Sequence, residues 1–287
     1  MTAIYRKEMR SYLCGMFGWF IMAIFLFFMG LFTVFFNLMS GIGDFSYPLV
    51  TMQWVLIVMI PLLTMRSIAE ERHTKTDQLL YSLPIRLREV VLGKFFAMLT
   101  LFLLPTAVSA LYPLILSSFG TVSLAAAYTA LFGYILLGAA LIAVCTFVSS
   151  LVENQILAAV LSIAAVLLTY MMSSVSALIP ESALVSFLIC VLAALGAAAL
   201  LWAATKNINL TMIAAVVLVI PVALVYIVNA KLFTSLVPDF LSAVDLFSRY
   251  SGFSYGHFDI AATVFYLSFI GFFLFLTVRS MEKRRLM

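Results

Sequence analysis

Seven stretches of this chain contain no Asp, Glu, Lys or Arg: residues 11–43, 45–65, 95–152, 154–180, 182–205, 207–230 and 260–278. They run to 33, 21, 58, 27, 24, 24 and 19 residues. A bilayer core about 30 Å thick is crossed by about 20 residues of helix. Six of the stretches therefore hold one span each, and 95–152 holds two, divided at Ser117-Ser118-Phe119-Gly120-Thr121. The expectation is an all-α polytopic membrane protein with about eight transmembrane helices, near 17–38, 47–65, 95–117, 122–149, 154–178, 183–204, 210–229 and 259–279. A membrane β-barrel would show alternating segments of about ten residues, and the sequence has none. Composition agrees: the chain is 65% hydrophobic and 10% charged, against roughly 45–50% and 25% in soluble domains. With a mean hydropathy of +1.19, a soluble enzyme, a disordered regulator and a nucleic-acid-binding module are all excluded.

The basic residues set the expected orientation. With the N-terminus in the cytoplasm, 14 of the 16 Lys and Arg residues lie inside, and only Lys231 and Arg249 lie outside. The acidic residues divide 7 to 5, as expected when only positive charge orients the chain. Both termini are therefore expected to be cytoplasmic. The first apolar run is too long for a signal peptide and no small-x-small cleavage site follows it, so it is read as a retained helix.

What the spans lack narrows the function. Ion-coupled transporters place ionisable groups inside the membrane, but Glu153, Glu181 and Asp259 all fall at helix ends. The polar residues within spans (Asn37, Gln53, Thr64, Tyr112, Tyr134, Thr169, Tyr226 and Asn229) are uncharged, suited to interhelical hydrogen bonds or a weakly polar cavity. No HExxH occurs, and His73 and His257 fall on opposite sides of the membrane. Glu70-Glu71 followed by Lys75 comes near the EExxxR pattern of membrane proteases, but Lys replaces Arg and the cluster sits in a hydrophilic loop. No GxxxxGK[ST] phosphate-binding loop is present. Cys14, Cys145 and Cys190 are odd in number and widely spaced, which fits packing rather than a disulfide framework or a zinc site.

The loop between the second and third spans, residues 66–94, gathers 10 of the chain's 28 charges. It is not a plain solvated linker. Leu79, Leu80 and Leu83 form an apolar ridge at helical spacing, ended by Pro84. Ile85, Leu87, Val90 and Val91 suggest a second short amphipathic helix leading into the third span. Such helices suit docking against another protein or resting on headgroups.

Several runs in and around this loop carry a resemblance. They are Leu62-Leu63-Thr64-Met65-Arg66, Ala69-Glu70-Glu71-Arg72, Gln78-Leu79-Leu80, Ser82-Leu83-Pro84 and Glu89-Val90-Val91-Leu92-Gly93-Lys94-Phe95. With Tyr112-Pro113-Leu114, the turn Ser149–Gln155 and the terminus Phe275–Arg285, they resemble ABC type-2 exporter permeases, specifically the gliding-motility (Gld) branch. The likeness covers about residues 1–180 and 245–287 in colinear order. Two departures stand out. Arg86-Leu87-Arg88-Glu89 replaces a Ser-Asp-Trp-Glu-like stretch, and residues 183–229 add an apparent helix pair to a six-helix core.

The resemblance implies a single permease domain over residues 1–287 in a bacterial plasma membrane. It would form the substrate pathway of an exporter with a second permease, identical or related, and couple to separate ABC ATPase subunits. ATP and magnesium would bind on those subunits and no cofactor on this chain. A Gld-type accessory protein and membrane lipids are further expected partners, and nucleic acid is not. Residues 1–16 would be an interfacial connecting helix, with Ile4, Tyr5, Met9 and Tyr12 toward lipid. The coupling loop would present Glu70, Glu71, Arg72, Leu79, Leu80, Leu83, Pro84, Glu89, Gly93 and Lys94, with Glu70 and Glu71 pairing with the ATPase. Glu153 and Asn154 would make a second cytoplasmic contact. Residues 230–258 would be an external re-entrant or interfacial segment. There Leu236, Phe240, Val244 and Phe247 recur at helical spacing, Pro238 and Gly252 act as breakers, and Pro238, Phe240, Phe247 and Gly256 are candidate gate residues. A non-transporting scaffold of an ABC complex and, less well supported, a membrane-embedded enzyme are the alternative functions.

Overall fold

The computed structural model describes residues 1–76, 86–180, 182–206, 212, 216–221, 225–226 and 233–285. Helix α1 (Thr2–Cys14) ends at Gly15, whose extended backbone (φ −85°, ψ 150°) turns the chain into α2 (Met16–Thr33). The elbow is tight. A Cβ on Gly18 would lie 2.4 Å from the carbonyl oxygen of Tyr12, so only a glycine lets the two helices meet there. The α2 helix continues as a π-helical turn, Val34–Met39, a wider winding that leaves room for side-chain bonding. Asn37 uses it, donating from Nδ2 to the carbonyls of Ile42 (2.7 Å) and Asp44 (3.1 Å) and holding the turn to the next helix.

Helix α3 (Ser46–Thr64) is followed by the short α4 (Ala69–His73), which is closed by Lys75 at φ 56°. Helix α5 (Leu87–Ser109) continues after a kink as α6 (Tyr112–Ser117), and α7 (Leu124–Leu151) returns. Leu87, Val90 and Val91 are the buried first turns of α5 itself, not a separate amphipathic helix. The reason is local: no breaker lies between Leu87 and the span, and Glu89 in the first turn favours starting a helix there. Next come α8 (Gln155–Leu178), α9 (Ala183–Thr205), α10 (Leu236–Val244), α11 (Ser251–Ser254) and α12 (Ile260–Arg285). Among the described residues there is no strand.

Among the described residues, six helical stretches are long and apolar enough to cross a membrane: Met16–Met39, Ser46–His73, Leu87–Ser117, Leu124–Leu151, Gln155–Leu178 and Ile260–Arg284. They coincide with the first five and the last of the expected spans. Helix α9 stands where the sixth was expected, with Ala183–Gly196 its apolar part. The expected span at 210–229 lies largely outside the described residues.

The residues group into two compact units, Met1–Leu168 with Arg249–Met287, and Thr169–Ser248. In the first, α7 is the central helix: 78% of its most apolar stretch is buried, against 28% for α2 and 22% for α12. Small residues such as Gly133, Gly138, Ala140 and Ala143 line it, letting neighbouring helices approach closely where lipid supplies no hydrophobic drive for association. Phe25, Phe102, Tyr134 and Tyr250 pack beside it as one aromatic cluster, with ring centroids 5.9–6.4 Å apart.

In the second unit α9 packs on α10. Pro238, expected as a breaker, lies in the first turn of α10, where a missing N–H leaves no intrahelical bond unmade. The other expected breaker, Gly252, lies instead within α11 of the first unit. Asp245 is fully buried and accepts from the backbone N–H groups of Phe247 (2.8 Å) and Ser248 (3.1 Å), tying down the turn after α10.

Candidate functional site

Helix α1 buries one stripe, Ile4, Glu8 and Tyr12, spaced four residues apart. The stripe meets α5, not lipid. Ile4 sits against Gly93, where a Cβ would come within 3.1 Å of the Ile4 side chain. Tyr5 donates its hydroxyl to Thr100 Oγ1 at 3.1 Å. The expected lipid-facing role of Ile4 and Tyr12 is therefore replaced by helix packing, because glycine at position 93 lets α1 lie close against the start of α5.

The Glu8 carboxylate on that stripe, 12% exposed, needs a cation, and Lys94 supplies it. Lys94 is 2% exposed, and its ammonium lies 3.0 Å from both Glu8 Oε1 and Glu71 Oε2. A third donation, 2.6 Å to the carbonyl of Ser67, completes its three bonds. Lys7 reaches Glu71 Oε1 at 3.0 Å from the exposed side. The amino group of Met1 pairs with Glu89 at 3.0 Å. Glu71, 16% exposed, is thus turned inward onto two lysines, whereas its neighbour Glu70 is exposed. Burial lowers the Lys7 pKa, but the hydrogen bond and charge of Glu71, with Glu8 beside it, raise it on balance above its ordinary value. Burial, reinforced by the carboxylates of Glu8, Glu70 and Glu71, pushes the Tyr12 hydroxyl well up.

The same layer extends to the ends of α7 and α12. Arg72, expected at a partner surface, is buried and donates to the carbonyl of Ser150. Ser149 Oγ accepts from the Ala69 N–H at 3.2 Å. Ser280 donates to the Ser150 carbonyl at 3.4 Å, and Arg284 to Glu153 at 3.0 Å and the Leu151 carbonyl at 2.8 Å. Asn154 caps α8, its Oδ1 accepting from the N–H groups of Ile156 (2.9 Å) and Leu157 (3.4 Å). One polar layer therefore joins the first and last helices of the chain, α4, the start of α5 and the turn after α7. Met1 and Arg284 both have ion-pair partners in it.

Of the expected coupling residues, the structure brings together Glu71, Gly93 and Lys94, with Arg72 and Glu89 at their flanks. Leu79, Leu80, Leu83 and Pro84 lie outside the described residues. Of the candidate gate residues, Phe247 is buried and stacks edge-on against Tyr170 at 5.0 Å. Pro238 is buried with its carbonyl accepting from Ser176 Oγ at 2.9 Å, and Phe240 is 65% exposed. Gly256 (φ 78°) sits in the first unit against Ala126. Glu8 was missed by sequence reasoning. The signal was available: it is the one acidic residue before Asp44, and it falls four residues from both Ile4 and Tyr12.

Beside the cluster, between α1, the start of α2 and α4, lies a cavity of about 710 Å³. Its walls include Tyr12, Met16, Phe17, Phe20, Arg66 and Glu70. The Arg66 guanidinium sits 4.2 Å from the centre of the Phe17 ring, a cation–π contact.

The helical bundle is that of a multi-pass membrane protein whose polar residues are concentrated in the layer holding both ends. Residues 35–192, just over half of the chain, match the family described as ABC-2 family transporter protein. The chain belongs to that family, the membrane-spanning permeases of ABC transporters. No curated protein matches it.

Proposed function

We propose that this chain is one of two permease subunits of an ABC exporter of the Gld branch, coupled through its polar layer to separate ATPase subunits that bind ATP and magnesium. The observation that carries this reading is the Glu8–Lys94–Glu71–Lys7 cluster. It locks the N-terminal helix, the loop after α3 and the base of α5 into one unit. A push on any of these three elements is passed to α2, α3 and α5 together, as a rigid-body mechanism requires. Glu71 then orders the loop from within, while the leucines Leu79, Leu80 and Leu83, ended by Pro84, form the surface offered to the ATPase. Glu153 and Asn154 border that surface.

The layer is cytoplasmic in this reading because it gathers Arg6, Lys7, Arg10, Arg66, Arg72, Lys94, Arg279 and Arg284, the bias expected of the inner face of a bacterial plasma membrane. Eight crossings, with 183–229 as the additional pair, return the chain to that face at Arg284. Pro238, Phe240, Phe247 and Gly256 are the external gate residues of this reading, where cargo would leave.

The test is purification of the tagged chain from its own membrane. An ATPase subunit is expected to accompany it, and Leu79→Asp is expected to release that subunit while leaving the permease monodisperse. Retention of the ATPase by Leu79→Asp and by Leu83→Asp would remove the docking role of the loop. An ATPase whose rate answers to no lipid or solute would favour the scaffold function instead.

A further inference from the structure

The charges around the cavity between α1, α2 and α4 do not cancel uniformly. Lys94 is matched by Glu8 and Glu71, and Lys7 by Glu71, so four of the ionised groups in its walls neutralise one another. Two remain. Arg66 lies over Phe17, and Glu70 is exposed, and neither has an ion-pair partner among the described residues. The cavity thus presents one cation and one anion on a wall that is otherwise neutral. Its edge toward the first span is apolar and exposed: Met16 is 89% exposed and Phe20 59% exposed, both in the first turns of that span. Its volume of about 710 Å³ falls within the range of roughly 300–1,000 Å³ typical of small-molecule sites.

We propose that this cavity holds one zwitterionic phospholipid with a primary ammonium headgroup. Its phosphate lies on Arg66, its ammonium on Glu70, and its acyl chains lie along Met16 and Phe20. Guanidinium and phosphate match as a charge-assisted pair, and a primary ammonium donates to the free carboxylate as a quaternary one cannot. Phosphatidylglycerol would satisfy Arg66 but meet Glu70 with neutral hydroxyls in place of a cation, a weaker partner for a carboxylate. The site depends on neither an ATPase nor a transported cargo, so it stands apart from the exporter reading.

Native mass spectrometry of the full chain in detergent, with equal amounts of phosphatidylethanolamine and phosphatidylglycerol of identical acyl chains, tests it. One phosphatidylethanolamine is expected to remain bound in preference to phosphatidylglycerol. Glu70→Gln should reduce that preference about tenfold, and Arg66→Gln should weaken retention of both lipids about tenfold, each through loss of one charge-assisted contact. Soluble glycerophosphoethanolamine should not displace the lipid at equal concentration. Equal retention by parent and both variants, a preference for phosphatidylglycerol, or displacement by the soluble headgroup would each overturn the proposal. Should a variant not fold, a photoactivatable phosphatidylethanolamine on the parent protein gives a second reading. Labelling is expected within residues 12–20 and 66–76, and labelling confined to other segments would overturn it.

Discussion

Lys94 is the side chain on which most of the polar layer turns. Removing its ammonium as Lys94→Met leaves Glu8 and Glu71, 12% and 16% exposed, without their shared buried cation. Breaking a buried pair from one side costs about 3–5 kcal/mol, so Lys94→Met is expected to lower the thermal denaturation midpoint sharply in detergent. The triple variant with Glu8→Leu and Glu71→Leu should recover much of the loss, because no buried charge is then left alone. If the triple variant is less stable than Lys94→Met, the ammonium is not the partner of these carboxylates. Lys7 behaves differently because it reaches the cluster from water. Its pKa is raised above 10.5, so its contribution is complete below that value and is lost only as pH climbs through the folded one. In a variant whose sole tryptophan is Trp19, emission should accordingly stay flat across neutral pH and change only in alkali. Of these residues, Lys94 and Glu71 were legible as part of a charged loop. Their direction was not, since a sequence does not say whether a charge faces a partner or a neighbouring helix.

Between elements, the joints are the informative places. The α1–α2 elbow depends on Gly18, because a side chain there must displace the Tyr12 carbonyl. Trp19 bridges the same joint by donating Nε1 to the Leu13 carbonyl at 2.8 Å. Gly18→Val is therefore expected to part the two helices and shift Trp19 emission, and an unchanged spectrum would show that the elbow yields elsewhere. After α10, Asp245→Ala should leave the Phe247 and Ser248 N–H groups without their acceptor, at a cost of roughly 1–2 kcal/mol. Limited proteolysis should then cut near residues 244–248 faster than in the parent, and an equal rate would contradict the anchoring role. Span positions were legible because twenty uncharged residues leave few alternatives. The continuity of α5 was legible only in part: Leu87, Val90 and Val91 read as helical, but as a separate amphipathic helix rather than as the first turns of the span.

At the scale of the whole molecule, the proposed eight crossings fix a definite topology. Both chain ends share one layer, tied through Met1–Glu89 and Arg284–Glu153. Eight crossings predict active alkaline phosphatase fusions after Gly43, Gly120, Pro180 and Gly256, and inactive ones after Thr76, Val152, Lys206 and Arg285. Activity at Lys206 would remove the additional helix pair and leave six crossings, which the shared layer also permits. Orientation rests on charge bias, so it is the part these fusions test most directly.

The sequence by itself determined that the chain is helical and crosses the membrane several times, because burying an unpaired backbone in lipid is prohibitive and only uncharged helices avoid it. It also determined where polar chemistry gathers, because charge is tolerated only near the ends of spans. Only the tertiary structure decided which charges serve the protein and which face outward. Glu8 and Glu71 became internal because Gly93 and Gly18 let α1 fold down over Lys94. Glu70, one residue away, stayed exposed because successive side chains on a helical turn point about 100° apart. Pairing across 64 to 88 residues of chain depends on how helices pack, and no local pattern encodes it.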